Sequence, residues 1–113
     1  ASMKSALDVL VKLSDGRGVA MLGAMYELGA DSDTLHQEVA RYALARNLTV
    51  VAVGEDARAY GDESAESLHH VSNHEAASQW LTQNTTPGSV VLLKGSRKAA
   101  MEKVAQRYLE GVN

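Results

Sequence analysis

Lys94-Gly95-Ser96-Arg97 is the segment of this 113-residue chain best equipped for chemistry. Four apolar residues, Val90 to Leu93, run into a cation, a glycine, a hydroxyl and a second cation. A stretch follows in which Met101, Val104, Ala105, Tyr108 and Leu109 share one helical stripe. The pattern predicts a buried parallel strand, a short loop and the start of a helix. In open α/β sheets ligands bind outside the carboxyl ends of such strands. Free backbone N–H groups, a lysine and a guanidinium together attract a carboxylate or a phosphate. The same residue types also suit solvated charges where a strand leaves the core, and spacing alone does not separate the two readings.

Other candidates are thinner. Glu27 is the lone carboxylate in the loop after the first apolar run, placed to bind a ribose hydroxyl or a metal-bound water, or to cap local backbone. His36 sits one turn into the next helix, where a partly exposed helix-start histidine is the simpler reading. His69, His70 and His74 crowd one short segment, but neighbours on a strand point to opposite faces, which keeps His69 and His70 from sharing a metal. Surface histidines near a helix start are expected there, and no metal ligand is assigned. Trp80 lies on an apolar helical stripe and is expected in the core. Gly16-Arg17-Gly18 precedes a strand instead of following one and lacks a third glycine, so it reads as a turn. Lys94-Gly95-Ser96 lacks the upstream glycine and the glycine-lysine order of a phosphate-cradling P-loop. No catalytic residue is assigned within this chain.

These residues need elements to hold them. Net charge is −3, and only Arg97-Lys98 are adjacent cations, so no global field recruits nucleic acid or an acidic membrane. Cysteine is absent, which removes disulfides, thiolate catalysis and cysteine-ligated zinc, in keeping with a reducing compartment. Apolar content of 45% and charged content of 22% fit one globular domain, and no apolar run approaches a membrane span or opens the chain as a signal peptide. Helical spacing links Met3, Ala6, Leu7, Leu10 and Leu13 after a Ser2 cap, and Asp15-Gly16 breaks that helix. Leu35, Val39, Tyr42 and Ala43 mark a second helix fading at Asn47, and Glu55 to Tyr60 suits one or two helical turns. Residues 61–66 read as a mobile surface loop. Ser72 and Glu75 have capping-box spacing ahead of Ala77, Trp80 and Leu81, and Gly111 suits a helix end. Short strands are expected near 18–23, 49–53, 68–71 and 89–94. Their apolar runs do not alternate, so both faces should be covered, giving a Rossmann-like three-layer α/β/α fold with a mostly parallel sheet. Right-handed crossovers then place Gly23, Gly54 and Lys94-Gly95 on one edge.

Three segments in order resemble the C-terminal domain of the Mur ligases, in particular the UDP-N-acetylmuramoyl-tripeptide–D-alanyl-D-alanine ligase (MurF) family. Ser2-Met3-Lys4-Ser5-Ala6-Leu7 resembles the helix that follows the family's first strand and Asn-Ala-Asn-Pro motif. Gly23-Ala24-Met25-Tyr26-Glu27-Leu28-Gly29, with Leu35-His36 and Glu38-Val39, resembles its Gly-Asp-Met-x-Glu-Leu-Gly…His pattern. Val91-Leu92-Leu93-Lys94-Gly95-Ser96-Arg97, with Met101-Glu102, resembles its Leu-Val-Lys-Gly-Ser-Arg…Met-Glu segment.

The resemblance implies a cytoplasmic bacterial enzyme with an N-terminal UDP-sugar domain and a central P-loop ATPase domain as intramolecular partners. It implies ATP and Mg²⁺, bound mainly by the central domain, an acyl-phosphate formed on UDP-N-acetylmuramoyl-tripeptide, and attack by the amine of D-alanyl-D-alanine. It implies that Lys94, Gly95, Ser96 and Arg97 bind the incoming dipeptide and the anionic intermediate, while Gly23, Glu27 and His36 face the nucleotide. This chain departs from the pattern at Ala24, where the family has Asp. The family's first strand and Asn-Ala-Asn-Pro segment would precede Ala1, so residues 1–113 read as a single domain shortened at its N-terminus. Alone it is expected to be inactive. The alternative is a free-standing binding module derived from the same fold. The native reading frame separates the two: an upstream Gly-x-x-x-x-Gly-Lys-Thr is expected for the ligase, and a natural start near Ser2 for the module.

Overall fold

The computed structural model describes residues 3–26, 29–61 and 66–111. Four strands, β1 (Val19–Gly23), β2 (Thr49–Val53), β3 (Leu68–Val71) and β4 (Val91–Lys94), form one sheet in the order β3-β2-β1-β4. Every pairing is parallel, with Leu22 opposite Ala52 on one side and Lys94 on the other. Around it pack α1 (Met3–Ser14), α2 (Ser32–Leu44), α3 (His74–Asn84) and α4 (Glu102–Gly111). Short 3₁₀ segments occupy Gly29–Asp31, Glu55–Tyr60 and Arg97–Ala99. The expected α/β architecture is therefore the observed one, and the expected strands match to within two residues at their ends.

The central strands are apolar throughout because both faces are covered. Ala20, Leu22, Val50 and Ala52 pack against Leu7 and Leu10 of α1 and Val39, Ala40 and Ala43 of α2. Met21, Val51 and Val53 meet Ala77 and Leu81 of α3 and Val104 of α4. The first helix buries Met3, Leu7 and Leu10, the spacing that one helical face requires. Asp15 and Gly16 then take positive φ, ending it where the sequence predicts a break. Two ends of the expected stripes are exposed instead: Leu13 on α1 and Leu109 on α4. Both belong to helices packed along β4, the outermost strand on that side, so no layer continues beyond to cover them. The start of α3 also shifts. Asn73, not Ser72, is the cap, its side chain accepting from the Ala76 N–H at 2.9 Å. Residues 62–65, the centre of the expected surface loop, lie outside the described residues, as does Ser2.

Strand order sets where a ligand can enter. The chain steps from β1 to β2 to β3, then α3 carries it back to β4 on the other side of β1. The direction of winding reverses between β1 and β4, which is where parallel sheets open a crevice. Here the two backbones almost touch. A Cβ built on Gly95 would stand 2.9 Å from the Cα of Gly23, and one on Gly23 would stand 2.7 Å from the Cβ of Ala99. A side chain at Gly95 would have to part the strand ends, and one at Gly23 would have to displace Ala99 and Met101. Gly95→Ala should therefore destabilise the domain by about 1–3 kcal/mol, as overpacking does. Gly111→Ala, whose added carbon meets open space, should be neutral or better. Urea denaturation of the two variants checks the contrast.

Candidate functional site

The loop leaving β1 is fastened at four successive residues. The Gly23 carbonyl accepts from the Tyr60 hydroxyl at 2.8 Å, and the Ala24 carbonyl accepts from the Ser96 N–H at 3.1 Å. The Met25 N–H donates to His36 Nε2 at 2.9 Å, and the Tyr26 N–H donates to Ser96 Oγ at 2.7 Å. An Nε2 that accepts leaves the imidazole proton on Nδ1, which donates to the Ser32 carbonyl at 2.6 Å. His36 and Tyr60 are 2% and 1% exposed, and their rings meet edge-on with centroids 4.8 Å apart. Burial pushes the Tyr60 hydroxyl far above the usual tyrosine range, because its anion would sit without solvent.

Beside this loop, on the carboxyl edge of the sheet, lies a cleft of about 230 Å³. Tyr26, Gly54, Asp56, Asn73, His74 and Lys98 are among its walls. The volume falls below the ~300–1,000 Å³ of sites that take drug-sized ligands, so a small metabolite suits it. Tyr26 bridges it: its hydroxyl donates to Asp56 Oδ2 at 2.9 Å, and the Lys98 ammonium stands 4.9 Å from its ring centroid. The bond to Asp56, with some burial and the nearby negative charge, raises the Tyr26 hydroxyl above its ordinary value. Two histidines brace the walls. His70 Nε2 donates to the Gly54 carbonyl at 2.7 Å, and His74 Nε2 donates to the Ala99 carbonyl at 2.8 Å. A carboxylate and an ammonium thus line one small cleft with fixed sides, an arrangement that complements a zwitterion.

The structure divides the loop singled out from sequence. In β4, Val90 and Leu92 pack toward the α1–α2 face while Val91 and Leu93 pack toward α3–α4. Alternation carries Lys94 to the α1–α2 side, away from His74. Arg97 is exposed, and Lys98 is the cation that reaches the cleft. Among the described residues, the Lys94 and Arg97 side chains form no ion pair. Ser96 and Gly95 hold backbone together. Gly23 is buried beneath Ala99 and Met101. The nucleotide-facing position expected for His36 meets a different geometry, since both ring nitrogens are taken by backbone within the core. Glu27 lies outside the described residues. His69, the third clustered histidine, tilts against Trp80 at 5.7 Å, and Trp80 packs partly buried on the core beneath α3. Sequence reasoning missed Tyr60, Asp56, Asn73 and Lys98. Their signal was position: each lies within seven residues of a strand's carboxyl end.

Residues 1–97 match the family model described as "Mur ligase, glutamate ligase domain". The chain belongs to this family. It is also similar to the UDP-N-acetylmuramoyl-tripeptide–D-alanyl-D-alanine ligase of Escherichia coli K12, with 34% identity over 111 residues. That match covers 96% of this chain and 24% of the relative. The enzyme of the same name from Rickettsia prowazekii is 30% identical over 110 residues, covering 95% and 24%. The chain therefore spans about a quarter of the length of these curated relatives. A crystal structure of MurF ligase from Thermotoga maritima in complex with ADP shares the fold, with a TM-score of 0.80. Its sequence identity is 24%, and the match covers all of this chain and 27% of that one. The ordered motifs thus sit on a Mur ligase domain whose strand ends form the cleft just described.

Tyr60 gives this domain a measurable alkaline signature. The unfolded chain releases tyrosine protons near pH 10, whereas buried Tyr60 keeps its own. A folded-state value above the unfolded one confers stability that is complete below about pH 10 and lost as pH rises. The slope from this side chain should be about 1.4 kcal/mol per pH unit above pH 10. Tyr60→Phe should flatten the decline by that amount in urea titrations at stepped alkaline pH.

Proposed function

We propose that this chain is the acceptor-presenting C-terminal domain of a cytoplasmic, ATP-dependent ligase that adds D-alanyl-D-alanine to UDP-N-acetylmuramoyl-tripeptide. The observation that carries the reading is the alignment of 96% of this chain to 24% of the Escherichia coli enzyme, at 34% identity. The cleft supports it. D-alanyl-D-alanine is a small zwitterion, and Asp56 and Lys98 offer a charge of each sign across one opening. Exposed Arg97 and unpaired Lys94 stand on the same sheet edge, where a closing partner domain would bring an anionic intermediate. A guanidinium can grip such an anion bidentately and an ammonium can act as a point charge.

ATP and Mg²⁺ belong in this reading to a central domain outside the chain. This 113-residue sequence carries no P-loop. When bound there, ATP activates the tripeptide carboxylate by phosphorylating it. The task of this domain is to hold the acceptor in place and exclude water, which is catalysis by positioning. Gly23 and Glu27 stay assigned in this reading to the nucleotide-facing side of the closed cleft. The outer edge of β4 suits a further strand preceding α1. Large exposed apolar side chains, Val9 and Leu13 on α1 and Leu109 on α4, lie on the two helices that flank it.

The full-length protein should release phosphate when ATP, UDP-tripeptide and D-alanyl-D-alanine are all present, and release indifferent to the dipeptide would overturn the assignment. Lys98→Ala should raise the apparent KM for the dipeptide. A charge-assisted hydrogen bond is worth about 1.5–3 kcal/mol, or roughly ten- to a hundredfold. Lys94→Ala and Arg97→Ala should lower turnover by a similar factor, and unchanged kinetics in both would return them to solvated charges.

A further inference from the structure

We infer that His36 and Tyr60 are positioning residues for the acceptor cleft, holding the β1 exit loop in one conformation from beneath. The inference rests on the ligase reading above and extends it to two residues that touch no substrate. Its basis is the direction in which their polar atoms are spent. His36 comes from α2 and Tyr60 from the end of the 3₁₀ segment Glu55–Tyr60, yet both reach the same loop. Tyr60 takes the Gly23 carbonyl, the last polar group of β1, and His36 takes the Met25 N–H two residues on. The next residue, Tyr26, is the cleft wall that bonds Asp56 and lies under Lys98.

Stability accounts for part of this arrangement: the Gly23 carbonyl is buried and needs a partner, whereas half-buried Met25 could leave its N–H to water. Burying an imidazole and a phenol to satisfy these two groups carries a desolvation cost that an aliphatic pair would avoid. What the polar pair supplies is geometry. Accepting from Met25 and donating to Ser32 fixes the imidazole in one tautomer, and the Tyr60 ring packs edge-on against it. Ser96 closes the same loop from the β4 side, fastening the walls at β1 and β4 to each other by two hydrogen bonds. A preset wall spares the acceptor the ordering that a loose loop would demand at binding. Loss of either residue should then weaken acceptor binding specifically.

The test uses the full-length ligase and three variants. Tyr60→Phe keeps the ring and removes the bond to Gly23. His36→Leu keeps bulk and strands the Met25 N–H. His36→Gln offers an amide oxygen near the position of Nε2. Tyr60→Phe and His36→Leu should each raise KM for D-alanyl-D-alanine by about tenfold while KM for ATP stays unchanged. His36→Gln should return to within about threefold of wild type. Amide exchange at Met25 and Tyr26 should quicken in the first two variants and recover in the third. A purely structural role predicts something else: a smaller active fraction, hence lower apparent kcat, with dipeptide KM unmoved. That pattern in Tyr60→Phe, the milder variant, would overturn the inference while leaving the ligase reading intact. Wild-type turnover indifferent to the dipeptide would overturn both, and it is visible before any variant is made.

Discussion

The near contact of two backbones, Gly23 against Gly95, is the constraint on which the rest of this domain depends. Parallel strands that diverge at a reversal of winding normally leave a gap between their exit loops. Here a Cβ at Gly95 would fall 2.9 Å from the neighbouring Cα, so the exits of β1 and β4 are pressed together and the opening is displaced toward β2 and β3. Ser96 can then reach the Tyr26 N–H, Ala99 and Met101 can cover Gly23, and Lys98 can lie over the Tyr26 ring. A side chain at Gly95 would push the two backbones apart, and with them the Ser96 bond to Tyr26.

Polar chemistry at the site is partitioned by depth. Buried His36 and Tyr60 are neutral and spend their atoms on backbone, which is how a core tolerates them. Charged Asp56 and Lys98 stay at the solvated mouth of the cleft, where keeping an ion costs little and a ligand can still find it. His70 and His74 occupy the layer between, each donating to a carbonyl of the cleft wall. The three histidines that share a short sequence segment thus have structural partners on different sides. Their proximity in the chain does not become convergence in space.

A domain built this way suits the division of labour in a multidomain Mur ligase. It matches about a quarter of the length of its curated relatives, and what it carries is a small cleft with one charge of each sign. The loop beside the cleft is held by side chains that bond backbone across long sequence separations: Ser96 to Tyr26 spans 70 residues and Tyr60 to Gly23 spans 37. Such contacts exist only in the folded domain.

Much of the architecture was legible in the chain because it depends on neighbours in sequence. Continuous apolar runs at residues 19–23 and 49–53 announce strands covered on both faces. The break at Asp15-Gly16 and the helical spacing of Met3, Leu7 and Leu10 follow from local sterics and one-sided burial. The order of motifs also declared the Mur ligase family. Other features required the assembled sheet. Alternation along β4 sends Lys94 to one face, the turn at Arg97–Ala99 brings Lys98 instead of Arg97 to the cleft, and burial converts His36 from an expected surface group into a clamp on Met25. None of these is encoded within a short window. Side-chain direction at a strand end depends on which face its partners already fill, and a histidine's role depends on which backbone groups the fold leaves unpaired beside it. Sequence by itself determined the elements and their family; tertiary packing decided which of the candidate residues face the cleft.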